Sequence, residues 1–212
     1  TITVRELLEQ SKLNADENIV GIQRLLQSCW DALLSESPKK LAAQKKEVKK
    51  VAAENKRISE KIIRYIRKTE QAGLHAGRLN MLVFDILQDL YQSSILIGDS
   101  CSEHVANYHP RPGKNFQKTL EQIEVLSNGY FLIVHTEISQ LNFHQAAEEE
   151  KAFVAFINFL ASSLDAEILR IQQNEINSRL ATLQTRILLE MKDIVESTHE
   201  LYLLHKDFLS VR

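Results

Sequence analysis

An all-α fold of six long helices, arranged as two tandem antiparallel three-helix bundles, is what this sequence predicts, and three observations lead to it. The 212 residues include only six glycines and three prolines, too few for the many tight turns of an all-β fold of this length. Apolar residues recur at spacings of three and four, as amphipathic helices require. Capping and breaking residues divide these stretches into six. The composition, 44% apolar, 25% charged and 7% aromatic, suits a soluble globular chain with a sizeable core.

Thr3-Val4-Arg5-Glu6 has the form of a capping box and opens helix one, which runs to about Ser35 with a candidate interruption near Asn14 and Asp16. Ser37 and Pro38 form an N-cap and first-turn pair for helix two, whose apolar face carries Val48, Val51, Ile58, Ile62 and Tyr65 and which extends to about Gln71. The stretch Ala72 to Gly77 breaks the pattern. Helix three then presents Leu79, Leu82, Ile86, Leu90, Ser93 and Ile97 to the core and stops before His109-Pro110-Arg111-Pro112-Gly113. Helix four carries Phe116, Leu120, Ile123, Leu126, Tyr130 and Ile133; helix five covers about Ala146 to Asn174 and helix six about Ser178 to Leu209. Long helices with short connections pack as antiparallel neighbours at crossing angles of about +20°.

An internal echo supports a repeat. Ile62-Ile63-Arg64-Tyr65 is similar to Ile168-Leu169-Arg170-Ile171, offset by 106, and Asp89-Leu90-Tyr91-Gln92-Ser93-Ser94 to Asp193-Ile194-Val195-Glu196-Ser197-Thr198, offset by 104. The expected organisation is one domain over 1–212, with repeat one at about 1–109 and repeat two at about 114–212.

Charge is unevenly placed. The segment Lys39 to Lys68 holds twelve Lys/Arg against Glu47, Glu54 and Glu60, a net +9, whereas the rest of the chain carries −11. Lys39, Lys46, Lys50, Arg57, Lys61, Arg64 and Lys68 follow spacings of 7, 4, 7, 4, 3 and 4 and so form one stripe along helix two. Such a stripe repels itself unless acidic neighbours or an anionic partner offset it. Anionic lipid headgroups are the first partner expected; nucleic acid is not, because stacking aromatics are not interleaved and the chain as a whole is slightly acidic. A solvated or internally paired face is the alternative.

Cys29 and Cys101 stand alone within apolar helical patterns and read as free thiols in a reducing compartment. The wholly apolar runs, such as Tyr130 to Val134, are far below the ~20 residues of a membrane helix, and no signal peptide is visible, so no segment is expected to cross a bilayer. The chain begins at Thr1 rather than methionine, so a membrane part, if one belongs to it, lies outside it.

Three passages carry a family resemblance. Phe84 to Leu90, ending in an Asp-Leu pair, resembles a segment of PhoU-type domains; Glu103-His104-Val105-Ala106-Asn107-Tyr108-His109 resembles an E-H-V-x-N-x-H stretch of those attached to sodium/phosphate cotransporters; and Leu188 to Ile194 is similar to the matching place in the second repeat. The resemblance implies a cytoplasmic regulatory domain at the inner (plasma) membrane that modulates an attached or associated transmembrane phosphate transport module. It leaves open a free-standing phosphate-signalling adaptor, a metal-binding bundle and a homodimer. The family's E/D-x-x-x-D metal motif would fall on Tyr91 and Ile95, and in the second repeat on Val195 and His199, so inherited iron or zinc is not assured.

Other candidates come from spacing. Asp85 and Asp89 are four apart on one helix face and could share a divalent cation, and Asp193 is the equivalent of Asp89 in the echo. Glu196 and His199 form an E-x-x-H pair, the half-motif of a di-iron bundle, but no second copy occurs; a polar rim beside Met191, Thr198 and Tyr202 is the simpler reading. The stripe Asp85, Asp89, Gln92, Leu96, Asp99, Glu103 follows helical spacing beside the core face, and a solvated face is its simpler reading. Glu103, His104, Asn107 and His109 form a polar corner for a metal, phosphate or partner, or else close helix three by capping, a partly protonated imidazole favouring its negative end. No P-loop, nucleophile elbow, GxGxxG or H-E-x-x-H is present, so no catalytic residue is assigned and binding rather than catalysis is expected.

Overall fold

The computed structural model describes residues 1–69 and 73–210, and among them six α-helices and no strand. They are α1 (Val4–Leu34), α2 (Pro38–Arg67), α3 (Leu74–Ala106), α4 (Lys114–Gln140), α5 (Ala146–Gln172) and α6 (Ser178–Ser210). The capping box forms in both directions: Glu6 N–H donates to Thr3 Oγ1 at 3.2 Å, and Thr3 N–H to Glu6 Oε2 at 2.9 Å.

Helix α1 is continuous, so the interruption expected near Asn14 and Asp16 does not occur. One of the two bonds within α1 and the other reaches across to α4. Buried Asn14 accepts from Gln10 Nε2 at 2.9 Å, and Asp16 accepts from Ser139 of α4 at 2.6 Å. Helix α2 ends at Arg67 rather than Gln71; Gln71 and Ala72 lie outside the described residues. Gly77 falls inside α3, which starts at Leu74, so the expected break sits further upstream. Ser37 occupies the N-cap of α2 but its side chain bonds no backbone N–H there.

Helices α3, α4 and α5 leave by the same turn. Tyr108, Leu141 and Asn174 adopt positive φ of 56°, 48° and 56°, and the next residue's N–H returns to the carbonyl five residues back, from His109 to His104, Asn142 to Glu137 and Glu175 to Arg170. None is glycine, which is why no glycine marks these helix ends in the sequence.

Contacts fix the directions. Arg57 meets Glu17 and Gln44 meets Cys29, so α2 runs antiparallel to α1, while Asn80 of α3 bonds the Leu7 carbonyl near the start of α1, so α1 and α3 are parallel. The second half repeats this order, with Glu149 of α5 against His199 of α6 and Glu137 of α4 against Tyr202. The halves join chiefly through α3 on α6, and through α1 on α4.

Burial repeats as well. Leu79, Asn80, Val83, Leu87, Leu90, Ser94, Ile97 and Cys101 are buried in α3, and the residues 104 further on, Leu183, Gln184, Ile187, Met191, Ile194, Thr198, Leu201 and His205, are buried in α6. For the outer helices the matching offset is 105: Gln44, Val51 and Ile62 correspond to Glu149, Phe156 and Glu167. The letter echo at 106 is therefore one residue out, pairing buried Ile62 with Ile168, which is 43% exposed. Leu82, expected in the core, is 45% exposed at the edge of the α3–α6 seam beside Leu204 and Phe208.

Helix α5 is long and apolar enough to cross a membrane by length and composition, which the short run at Tyr130 to Val134 did not suggest. Its uncharged centre, Ala152 to Leu164, is 13 residues, short of the ~20 a span needs. Here it packs on α4 and α6 through Phe156 and Leu160.

Candidate functional site

The outward face of α2 is the largest charged feature. Lys39, Lys46, Lys50, Arg57, Arg64 and Lys68 are exposed and Lys61 is half-buried. Two of the segment's three acids do not offset them. Glu47 and Glu54 turn toward α1, where Arg24 takes both, at 3.9 Å and 3.6 Å. Among the described residues, only Arg57 of the seven pairs with a carboxylate, that of Glu17, and Lys61 lies 5.9 Å above the Tyr65 ring. The expected internal pairing is thus confined to one cation, and the remainder face solvent.

The polar corner at the end of α3 is assembled differently from the expected cap. His104 is 6% exposed, and burial is the main cause that pushes its imidazole below the ordinary histidine range, aided by His109 and opposed by its bond to the Pro110 carbonyl. The ring is therefore neutral near neutral pH, not a cation serving the helix dipole. Its Nε2–H donates to Pro110 O at 2.6 Å, which pins the exit loop, and the His104 and His109 ring centroids are 5.2 Å apart. Glu103, Asn107 and His109 share a cavity with Ser100 of α3 and with Arg179, Thr182 and Arg186 of α6. Sequence reasoning missed the α6 residues. Their spacings of three and four mark one polar stripe, but which residues that stripe meets is decided only when α6 packs on α3.

The candidate metal set divides in two. Asp85 and Asp89 lie exposed on α3, and Asp89 faces Asp193 and Glu196 across the α3–α6 groove. His199 points elsewhere, donating from Nδ1 to Glu149 of α5 and stacking on Phe153 with centroids 3.9 Å apart. Glu196 instead pairs with Lys192 at 3.2 Å. The E-x-x-H pair therefore does not act together, and among the described residues no group of three or more His, Cys, Asp or Glu is placed to hold a metal ion. All six residues of the Asp85 to Glu103 stripe are exposed, which is the solvated reading.

Partial burial, then Asp85 and Asp193, raise the Asp89 carboxyl above its ordinary value. A carboxylate raised in the fold costs stability once ionised, and protonation relieves it as pH falls through the raised range. Asp89→Asn should accordingly raise the thermal midpoint slightly at neutral pH and low salt. The gain should shrink in high salt, which screens the repulsion from Asp85 and Asp193; a loss of stability would contradict the repulsion.

The second half also buries three glutamates that the sequence did not single out. Glu137 accepts from Tyr202 Oη at 2.7 Å and from Gln145 N–H at 3.0 Å; Glu167 accepts from Gln184 at 2.5 Å and Arg170 at 2.9 Å; Glu149 holds His199 and lies 3.5 Å from Tyr130 Oη. These partners satisfy the carboxylates as structural groups. Cys29 and Cys101 are both buried free thiols on α1 and α3, as expected.

Compared with protein-family models, with curated proteins and with solved structures, the chain finds no significant match in any of the three.

Proposed function

We propose that this chain is a regulatory domain that works by docking rather than chemistry, lying on the cytoplasmic face of a membrane beside a phosphate transport module. The observation that carries the docking is the α2 face: Glu47 and Glu54 are engaged by Arg24 on the inner side, leaving the outer cations other than Arg57 without a carboxylate partner among the described residues. A helix of 30 residues presents this charge over about 45 Å, a length suited to an extended anionic surface. Each basic residue at such a surface contributes on the order of 1 kcal/mol. The transport module comes from the resemblance, chiefly from Glu103 to His109, and regulation would consist of shifting that module's conformational equilibrium.

Flotation with vesicles tests the docking. The chain should bind vesicles containing phosphatidylserine or phosphatidylglycerol, release in high salt and ignore pure phosphatidylcholine. Neutralising Lys46 and Lys50 together should weaken binding by about 2 kcal/mol, roughly thirtyfold. Equal binding to neutral and anionic vesicles would defeat the proposal. The coupling to transport is tested by the coding sequence ahead of Thr1, where a multi-span hydrophobic region is expected.

A further inference from the structure

The packing of α6 on α3 brings two arginines to the polar corner, and neither lies within 4 Å of a carboxylate among the described residues. Arg179 and Arg186 are seven residues apart, so both leave α6 on one face with Cα atoms about 10 Å apart, and Thr182 lies between them. Opposite them α3 supplies Ser100, Asn107 and Glu103, and the pinned exit loop supplies His109. Two unpartnered guanidinium groups repel one another, and their planar forks match an oxyanion through paired N–H donors. The hydroxyls and the amide offer further neutral donors. One group does not fit a bare anion: the Glu103 carboxylate only accepts hydrogen bonds.

We propose that this cavity binds a small tetrahedral oxyanion that still carries a proton, hydrogenphosphate, with Arg179 and Arg186 on its oxygens and Glu103 accepting its O–H. Sulfate has no proton to offer at neutral pH, so Glu103 faces a bare oxygen and repels it. The cavity volume of about 240 Å³ lies below the ~300 Å³ at which sites for larger organic ligands begin, which favours a small ion over a nucleotide. Because its two walls come from opposite halves of the chain, an anion bound here ties α3 to α6 and stabilises the fold by mass action. The site is separate from the α2 face and does not depend on membrane docking.

Calorimetric titration and thermal denaturation of the whole chain at constant ionic strength test this. Phosphate should bind at one site and raise the melting temperature, and sulfate should bind at least about tenfold more weakly. Arg179→Ala with Arg186→Ala should lose about tenfold or more in phosphate affinity, while Lys118→Ala on α4 should not. Should the double variant fail to fold, Arg186→Gln alone should show the same direction. Glu103→Gln, whose amide can also donate, should bring sulfate close to phosphate. No phosphate binding, equal affinity for sulfate in the unaltered chain, or indifference to the arginine changes would overturn the proposal.

Discussion

Replacing His199 with alanine is expected to destabilise the fold by about 3 kcal/mol, because it strands a buried carboxyl that has lost its main hydrogen-bond partner. Glu149 is fully buried on α5, and His199 is its strongest partner, held in place by stacking on Phe153. Without the imidazole, Glu149 keeps only Tyr130 Oη, at 3.5 Å, where a hydrogen bond is weak. Urea denaturation should show the loss directly, and at about 2–4 °C per kcal/mol for a chain of this size the melting temperature should drop by roughly 10 °C.

The pH dependence separates this account from lost packing. Burial is the main cause that raises the Glu149 carboxyl, and His199 then Tyr130 partly lower it again. Without His199 it should rise further. A carboxyl raised in the fold binds its proton more tightly there than in the unfolded chain, so stability increases as pH falls through the raised range. The deficit of His199→Ala should accordingly shrink on acidification, and adding Glu149→Gln should recover much of it at neutral pH. A pH-independent deficit, unaffected by Glu149→Gln, would assign the loss to the Phe153 stack alone.

Gly98→Val is expected to cost about 3 kcal/mol, the upper end for overpacking a close contact. A Cβ built on Gly98 would lie 2.9 Å from Val48 Cγ2 on α2, and the same closeness lets Gln44 Nε2 reach the Gly98 carbonyl at 2.8 Å. Gln44 is buried, so pushing α2 outward would also strand its amide. Better helix propensity returns less than about 1 kcal/mol. Val48→Ala in the same chain should restore part of the loss because it removes the clashing methyl groups. If the double variant is as unstable as Gly98→Val, the limiting contact is not Val48.

The sequence is most readable where one helix decides the outcome alone. The Thr3–Glu6 box forms as written, and the helix ends at Pro38, Ala146 and Ser178 fall where Pro38, the apolar periodicity and the polar connections put them. Misreadings arise where a polar residue answers to another helix. Asp16 looked like a break because its partner, Ser139, lies on α4. Glu196 and His199 looked like one motif, yet a separation of three residues lets one face α3 and the other α5. His104 looked like an exposed cap, but the Pro110 turn folds back over it and burial keeps it neutral.

By itself, then, the sequence determined the helices and the charge they carry. Periodicity, capping and the clustering of twelve cations in thirty residues are local properties that need no fold to be read. Tertiary structure alone decided which charges are spent and which remain. Arg24 draws Glu47 and Glu54 inward and leaves the α2 cations exposed, His199 holds Glu149 in the core, and α6 carries Arg179 and Arg186 to the end of α3. The physical reason is range: a helix is specified by neighbours three and four residues away, whereas these groups are 23 to 83 residues apart and meet only when helices pack.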